Sequence, residues 1–85
     1  MFAISVDIEA TVEQVEELRI LMQRHGFVQQ TGGFFLSESN DMTSLFYAIN
    51  ALEATPWFAQ SVRDMKAFRV ENWSDFTPSI KRKIK

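Results

Sequence analysis

The stretch FAISVDIEA, Phe2 to Ala10, decides the fold. Phe2, Ile4, Val6 and Ile8 alternate with Ala3, Ser5 and Asp7, the period-two pattern of a strand that buries one face. The other face holds only small residues until Asp7. That carboxylate has two readings: it caps the next element, or it is chemistry placed at a strand tip. Thr11-Val12-Glu13-Gln14 comes directly after the strand and fits a capping box, in which the Thr hydroxyl and the Gln side chain serve each other's orphan amides. Val15, Leu18, Leu21, Met22 and His25 then recur at helical spacing. Arg24 and His25 suit a helix C-terminus and Gly26 its left-handed cap, so a helix is predicted from Val12 to His25.

Beyond that helix, FVQQT and FFLSE are short β-rich runs around Gly32-Gly33, the signature of a tight hairpin. Asn40 or Ser39 is expected to cap a second helix, with Met42, Leu45, Phe46, Ile49 and Leu52 as its apolar stripe. Thr55-Pro56 reads as an N-cap and first helical position, opening a short helix over WFAQSVRD. MKAFRVENW reads as a last strand, with Phe68 and Val70 on one face and Ala67, Arg69, Glu71 and Trp73 on the other. The order β α β β α (α) β is that of an α+β, ferredoxin-like split βαβ sandwich. Its helices would cover Phe2, Ile4 and Val6 and leave Ala3, Ser5, Asp7, Arg69 and Trp73 on an open face. A homodimer through that open face or a sheet edge is the simplest cover.

The 85 residues form a single domain, 1–85, ending in a basic tail from about residue 78. An apolar fraction of 46% with eight Phe permits a core without staples. The absence of Cys excludes disulfides and Cys-based zinc sites, and the single His25 excludes any two-histidine motif. No apolar run approaches the ~20 residues that span a bilayer, and the start MFAIS lacks the features of a secretory signal. A cytoplasmic location is expected. The net charge of −2 creates no global field for nucleic acid. Acidic groups nevertheless gather from Asp7 to Glu17, and the end, KRKIK, is basic.

In the second half, DMTSLFYAINAL and then PWFAQSVRDMKAFRVENWSDFT resemble the VapD family (virulence-associated protein D). FAISVDIE and HGFVQQTGGFF match the corresponding parts of that family, and the resemblance covers nearly the whole chain. SVRDMKAFRVENWSDFT carries it most specifically. The resemblance implies a ferredoxin-like homodimer acting as an endoribonuclease on single-stranded RNA, the toxin half of a toxin–antitoxin pair, with an antitoxin protein as partner. A catalytically inactive RNA-binding or regulatory dimer of the same fold is the alternative. The chain departs from the family pattern in two places. The connection between Asp7 and the cap at Thr11 is short, and Gly33 with Phe34 or Phe35 stands where the hairpin usually carries a Ser and a Tyr.

Asp7 matches the family's Asp at the end of the first strand. It would act as a base on the RNA 2′-hydroxyl, or a carboxylate pair across a dimer axis would hold Mg²⁺ or another divalent cation. Arg69, read as lying beside Asp7, would stabilise phosphate charge or neutralise the carboxylate. Ser44, in the first turn of the second helix, would hold a phosphate or satisfy a local carbonyl. Asp75 matches a family Asp and is either a further acid or a cap. Arg63 contacts phosphate, or forms a local pair with Asp64 or a salt link to a partner chain. Lys81, Arg82, Lys83 and Lys85 contact RNA phosphates or an acidic antitoxin, or remain solvated. His25 is expected to satisfy helix-end carbonyls. Trp57, Phe58 and Trp73 are expected in core or dimer contacts rather than stacked on bases.

Overall fold

The computed structural model describes residues 1–71 and 77–81. Along the chain run β1 (Phe2–Ile8), α1 (Val12–Arg24), β2 (Val28–Thr31), β3 (Phe34–Ser37), α2 (Met42–Glu53), α3 (Phe58–Ser61), β4 (Val62–Arg69) and α4 (Thr77–Lys81). The strands form one open sheet in the order β2-β3-β1-β4, with every pairing antiparallel. β1 is therefore central, which accounts for its apolar content: Ala3 and Ile4 are fully buried.

Directly paired residues share a sheet face, so the register assigns the layers. Phe2 pairs with Ser37 and Arg69, Ile4 with Phe35 and Ala67, and Val6 with Met65. This is the helix-covered face. Phe2, Ile4, Val6 and Phe35 meet Leu18 and Met22 of α1, and Leu45, Ala48 and Leu52 of α2, in one core with Phe27 and Phe58. Each such large apolar side chain contributes roughly 1.5–3 kcal/mol on full burial. On the other face Ala3 lies between Leu36 and Phe68, Ser5 between Phe34 and Lys66, and Asp7 opposite Asp64. The Phe34 and Phe68 rings reach across β1 to a centroid separation of 6.2 Å. Ala3 and Ser5 are small because larger side chains would stand between those rings.

The helix ends follow local chemistry. Thr11 Oγ1 accepts from the Gln14 amide at 3.2 Å and Gln14 Oε1 from the Thr11 amide at 3.1 Å, completing the expected capping box. His25 is the C-cap of α1, and Gly26 follows at a positive φ of 82°. The cap of α2 is neither Asn40 nor Ser39 but Asp41, whose carboxylate accepts from the Thr43 amide at 2.9 Å. Ser39 Oγ accepts from the Asp41 amide, while Asn40 accepts from the terminal amine of Met1.

The structure corrects three further expectations. The third helix stops at Ser61, and the last strand begins at Val62 rather than Met65. The Ser61 carbonyl accepts from the Glu9 amide at 2.8 Å and Val62 pairs with Ile8, so pairing with β1 overrides local helical propensity. Nor does Thr55-Pro56 open the helix, whose N-cap is Trp57. The faces of β4 are reversed as well. Phe68 lies on the face away from the helices, against Phe34, and Arg69 lies on the helix side opposite Phe2. β4 is an edge strand incompletely covered by the helices, so Ala67 and Arg69 remain exposed on their side, and apolar alternation is a weak guide there. Trp73 lies outside the described residues.

The β2–β3 hairpin forms at Gly32-Gly33 as expected, with Gly32 at a positive φ of 48°. Gly33 has a different reason to be glycine: a Cβ there would lie 1.8 Å from the Val6 carbonyl oxygen. The Gly33 carbonyl accepts from the Val6 amide at 2.8 Å. The hairpin thus closes directly onto β1, one residue before Asp7.

Candidate active site

At the C-terminal end of β1 the ladder breaks. Asp7 pairs with Asp64, but the next residue, Ile8, pairs with Val62. Arg63 is the residue left over, in a β-bulge, a feature that re-aims side chains. Its guanidinium approaches Asp7 Oδ1 at 3.3 Å and Glu9 Oε2 at 3.8 Å. On the far side, Lys66 Nζ reaches back along its strand to Asp64 Oδ1 at 2.6 Å. The site is therefore a four-membered group, with the facing carboxylates of Asp7 and Asp64 each flanked by a cation. The side chains are open to solvent, 61% exposed at Asp7 and 69% at Lys66. Exposed pairs of this kind contribute only about 0–1 kcal/mol, so an incoming anion can draw either cation away.

Beside this group a cleft of about 240 Å³ runs between α1 and the hairpin, with Val15, Leu18 and Phe35 as apolar walls and Gln29 as a polar one. It is smaller than the ~300–1,000 Å³ typical of sites for drug-sized ligands. Gln29 Nε2 donates to the Gly32 carbonyl at 2.6 Å, bracing the hairpin that forms the cleft rim.

Other expected site residues lie elsewhere. Arg69 is not beside Asp7: it pairs with Phe2, five residues back along β1 and on the opposite face, about 17 Å away at the rise of a strand. Ser44 sits in the first turn of α2, at the end where Asn40 meets the chain's amino terminus. The Thr43 amide there is taken by the Asp41 carboxylate and the Ser44 amide by the Asp41 carbonyl, and Ser44 is not brought to Asp7. Of the readings given for Arg63, the local pair with Asp64 is not formed: Arg63 meets Asp7 and Asp64 meets Lys66. Phe58 is core, and the Trp57 indole donates to Glu17 at 2.9 Å while its ring meets Phe58 edge-on. Lys81 is exposed at the end of α4. Asp75, Arg82, Lys83 and Lys85 lie outside the described residues.

Lys66 was not singled out from the sequence. Its signal was the i, i+2 spacing Asp64, Lys66, Phe68, which becomes one face only once the strand is started at Val62.

The donor set does not suit a divalent cation within one chain. Both carboxylates already carry a guanidinium or ammonium, and the described residues contain no group of three acidic or histidine side chains able to hold a metal.

Fold and charged cluster together define a class: small α+β domains that carry exposed acid and base groups at the end of a central strand. No protein-family model matches the sequence. Individual relatives do. The chain is 37% identical to the endoribonuclease VapD homolog of Neisseria gonorrhoeae over 95% of its own length and 99% of the relative's. It is 45% identical to endoribonuclease VapD 1 of Riemerella anatipestifer, over 79% of this chain and 75% of that one. Identity to the endoribonuclease VapD of Dichelobacter nodosus is 36%, over 95% and 98%. The chain belongs to the VapD family.

Proposed function

We propose that this protein is an endoribonuclease that cuts single-stranded RNA, the toxin component of a toxin–antitoxin pair, with Asp7 as the group that starts the reaction. The observation that carries this reading is the exposed Asp7 carboxylate at the end of β1, flanked by Arg63 from the β4 bulge, in a chain whose relatives are named endoribonucleases. Asp7 takes the proton of a ribose 2′-hydroxyl. The freed oxygen attacks the adjoining phosphorus, the bond from phosphorus to the 5′-oxygen breaks, and that oxygen takes a proton from water. The products are a 2′,3′-cyclic phosphate and a 5′-hydroxyl. Arg63 neutralises the phosphate while this happens. A cleft beside Asp7 with apolar walls and one amide favours an unpaired base over a duplex.

The strand order β2-β3-β1-β4 supports the ferredoxin-like reading. The position of β4 at the sheet edge and the half-exposed Phe68 ring support a homodimer through the edge or the open face. The protein would work in the cytoplasm, held in check by its antitoxin. A second reading, an inactive RNA-binding dimer, draws support from the hairpin, where Gly33 and its phenylalanine neighbours supply no hydroxyl.

Cleavage of a labelled single-stranded RNA by the wild type and by Asp7→Asn, each with Mg²⁺ and with EDTA, tests the proposal. Expected is cutting by the wild type in both solutions and loss of about 10³-fold or more in Asp7→Asn, with both proteins folded. Equal cutting by both removes Asp7 from the chemistry. RNA affinity without cutting by the wild type selects the second reading. Cutting abolished by EDTA assigns the step to a metal.

A further inference from the structure

The register of β4 places two carboxylates, Asp7 and Asp64, directly opposite one another on one face. Like charges in that position destabilise a sheet, and a local rule broken without structural gain is expected where function requires it. Asp64 does not face solvent alone. It holds the Lys66 ammonium at 2.6 Å and so draws a long, flexible side chain from its position opposite Ser5 back toward Asp7. Asp64 is 52% exposed and Lys66 69%, so an RNA strand at Asp7 can reach both.

Resting on the endoribonuclease reading, we infer that Lys66, aimed by Asp64, is a catalytic cation that meets the scissile phosphate beside Asp7. When Asp7 removes the 2′-hydroxyl proton, negative charge grows on the non-bridging phosphate oxygens. Arg63 approaches Asp7 from the bulge, and Lys66 approaches from the other direction along the strand. The two cations thus bracket the phosphate position, and the ammonium serves as a point charge where the oxygens develop charge. Asp64 is a positioning residue. It keeps the ammonium near the end of β1 until phosphate competes for it.

The test is steady-state cleavage of the same labelled RNA by folded wild type, Lys66→Met, Lys66→Gln, Lys66→Arg, Asp64→Asn and the double variant Asp64→Asn/Lys66→Met. Lys66→Met and Lys66→Gln are expected to lower kcat about 10²-fold, the scale of losing one charge-stabilising donor, while KM moves less than about threefold. Lys66→Arg recovers most of the loss. Asp64→Asn lowers kcat with little change in KM, and the double variant is no worse than Lys66→Met, because Asp64 acts through the lysine. A rise in KM with unchanged kcat in the lysine variants makes Lys66 a binding group only and overturns the inference, as does wild-type behaviour in both. Equal loss in Lys66→Arg and Lys66→Met overturns it too. A wild type that leaves RNA uncut sinks the endoribonuclease reading itself and this inference with it, whereas normal cutting by Lys66→Met sinks only the latter.

Discussion

The two ends of the central strand do different work with similar residues. At the Phe2 end the polar groups close the fold. The Met1 carbonyl accepts from the Val70 amide, the terminal amine bonds Asn40, and Asp41 caps α2. At the Asp7 end, the side chains of Asp7, Asp64, Arg63 and Lys66 bond, among the described residues, to one another or to Glu9, and the strand register slips beside them. Polar groups committed to backbone amides cannot turn to a ligand without loosening the fold. Charged side chains paired only with each other, on an exposed face, can. The difference marks one end as scaffold and the other as site.

The contrast between the ends is most vulnerable at Gly33, where the hairpin is fastened to Val6 just ahead of Asp7. Gly33→Ala places a Cβ 1.8 Å from the Val6 carbonyl oxygen, so backbone must move. The expected cost exceeds about 4 kcal/mol, the range of forced strain and overpacking, read as a collapse of the urea midpoint. Gly32→Ala, at a φ of 48° with open space around it, should cost only about 1–2 kcal/mol for the left-handed backbone. Similar losses for both would mean that the hairpin is not clamped to the site end.

A smaller effect separates the two arginines. Arg63→Ala removes the cation beside Asp7 and should lower RNA cleavage at least tenfold, the order expected for a charge-assisted contact to phosphate. Arg69→Ala and Ser44→Ala, both at the Phe2 end, should leave cleavage within about twofold. Comparable losses at Arg63 and Arg69 under identical RNA and salt would erase the distinction between the ends.

Much of the scaffold was readable in the sequence because its signals are local. The alternation in FAISVDI, the Thr11–Gln14 box, the Gly32-Gly33 hairpin and the α2 stripe each depend on a few neighbouring residues. The start of β4 was not readable. WFAQSVRD is acceptable as a helix by itself, and only hydrogen bonding to Ile8 and Glu9 makes Val62 onward a strand. Starting that strand three residues late hid Arg63 and Asp64 from it, and the exposed edge allowed Phe68 to be assigned to the wrong face. Asp7 could be picked out as a carboxylate at a strand tip. That Arg63 lies beside it could not be read, because a bulge leaves no mark on an alternating pattern, and the bulge is what swings Arg63 to Asp7. Ser39, Asn40 and Asp41 are all good caps, and tertiary bonding to Met1 and within the loop decides among them.

Asp41 offers the mildest and most discriminating probe of the scaffold end. The Thr43 backbone amide, bonded to the Asp41 carboxylate, holds that carboxyl below the usual carboxylate range. A group whose folded value is depressed stabilises the fold fully above its unfolded value, near ~3.9, and loses that contribution as pH falls through the lower folded value. Asn caps a helix as well as Asp does but does not titrate. Asp41→Asn should therefore match the wild type in thermal midpoint at pH 7 and lose less of it on acidification below about pH 4. Its RNA cleavage at pH 7 should be unchanged, because the carboxylate serves an α2 amide and lies at the Phe2 end. A large fall in cleavage with an unchanged midpoint would show that chemistry extends to the Phe2 end, and the division between scaffold and site would have to be redrawn around α2.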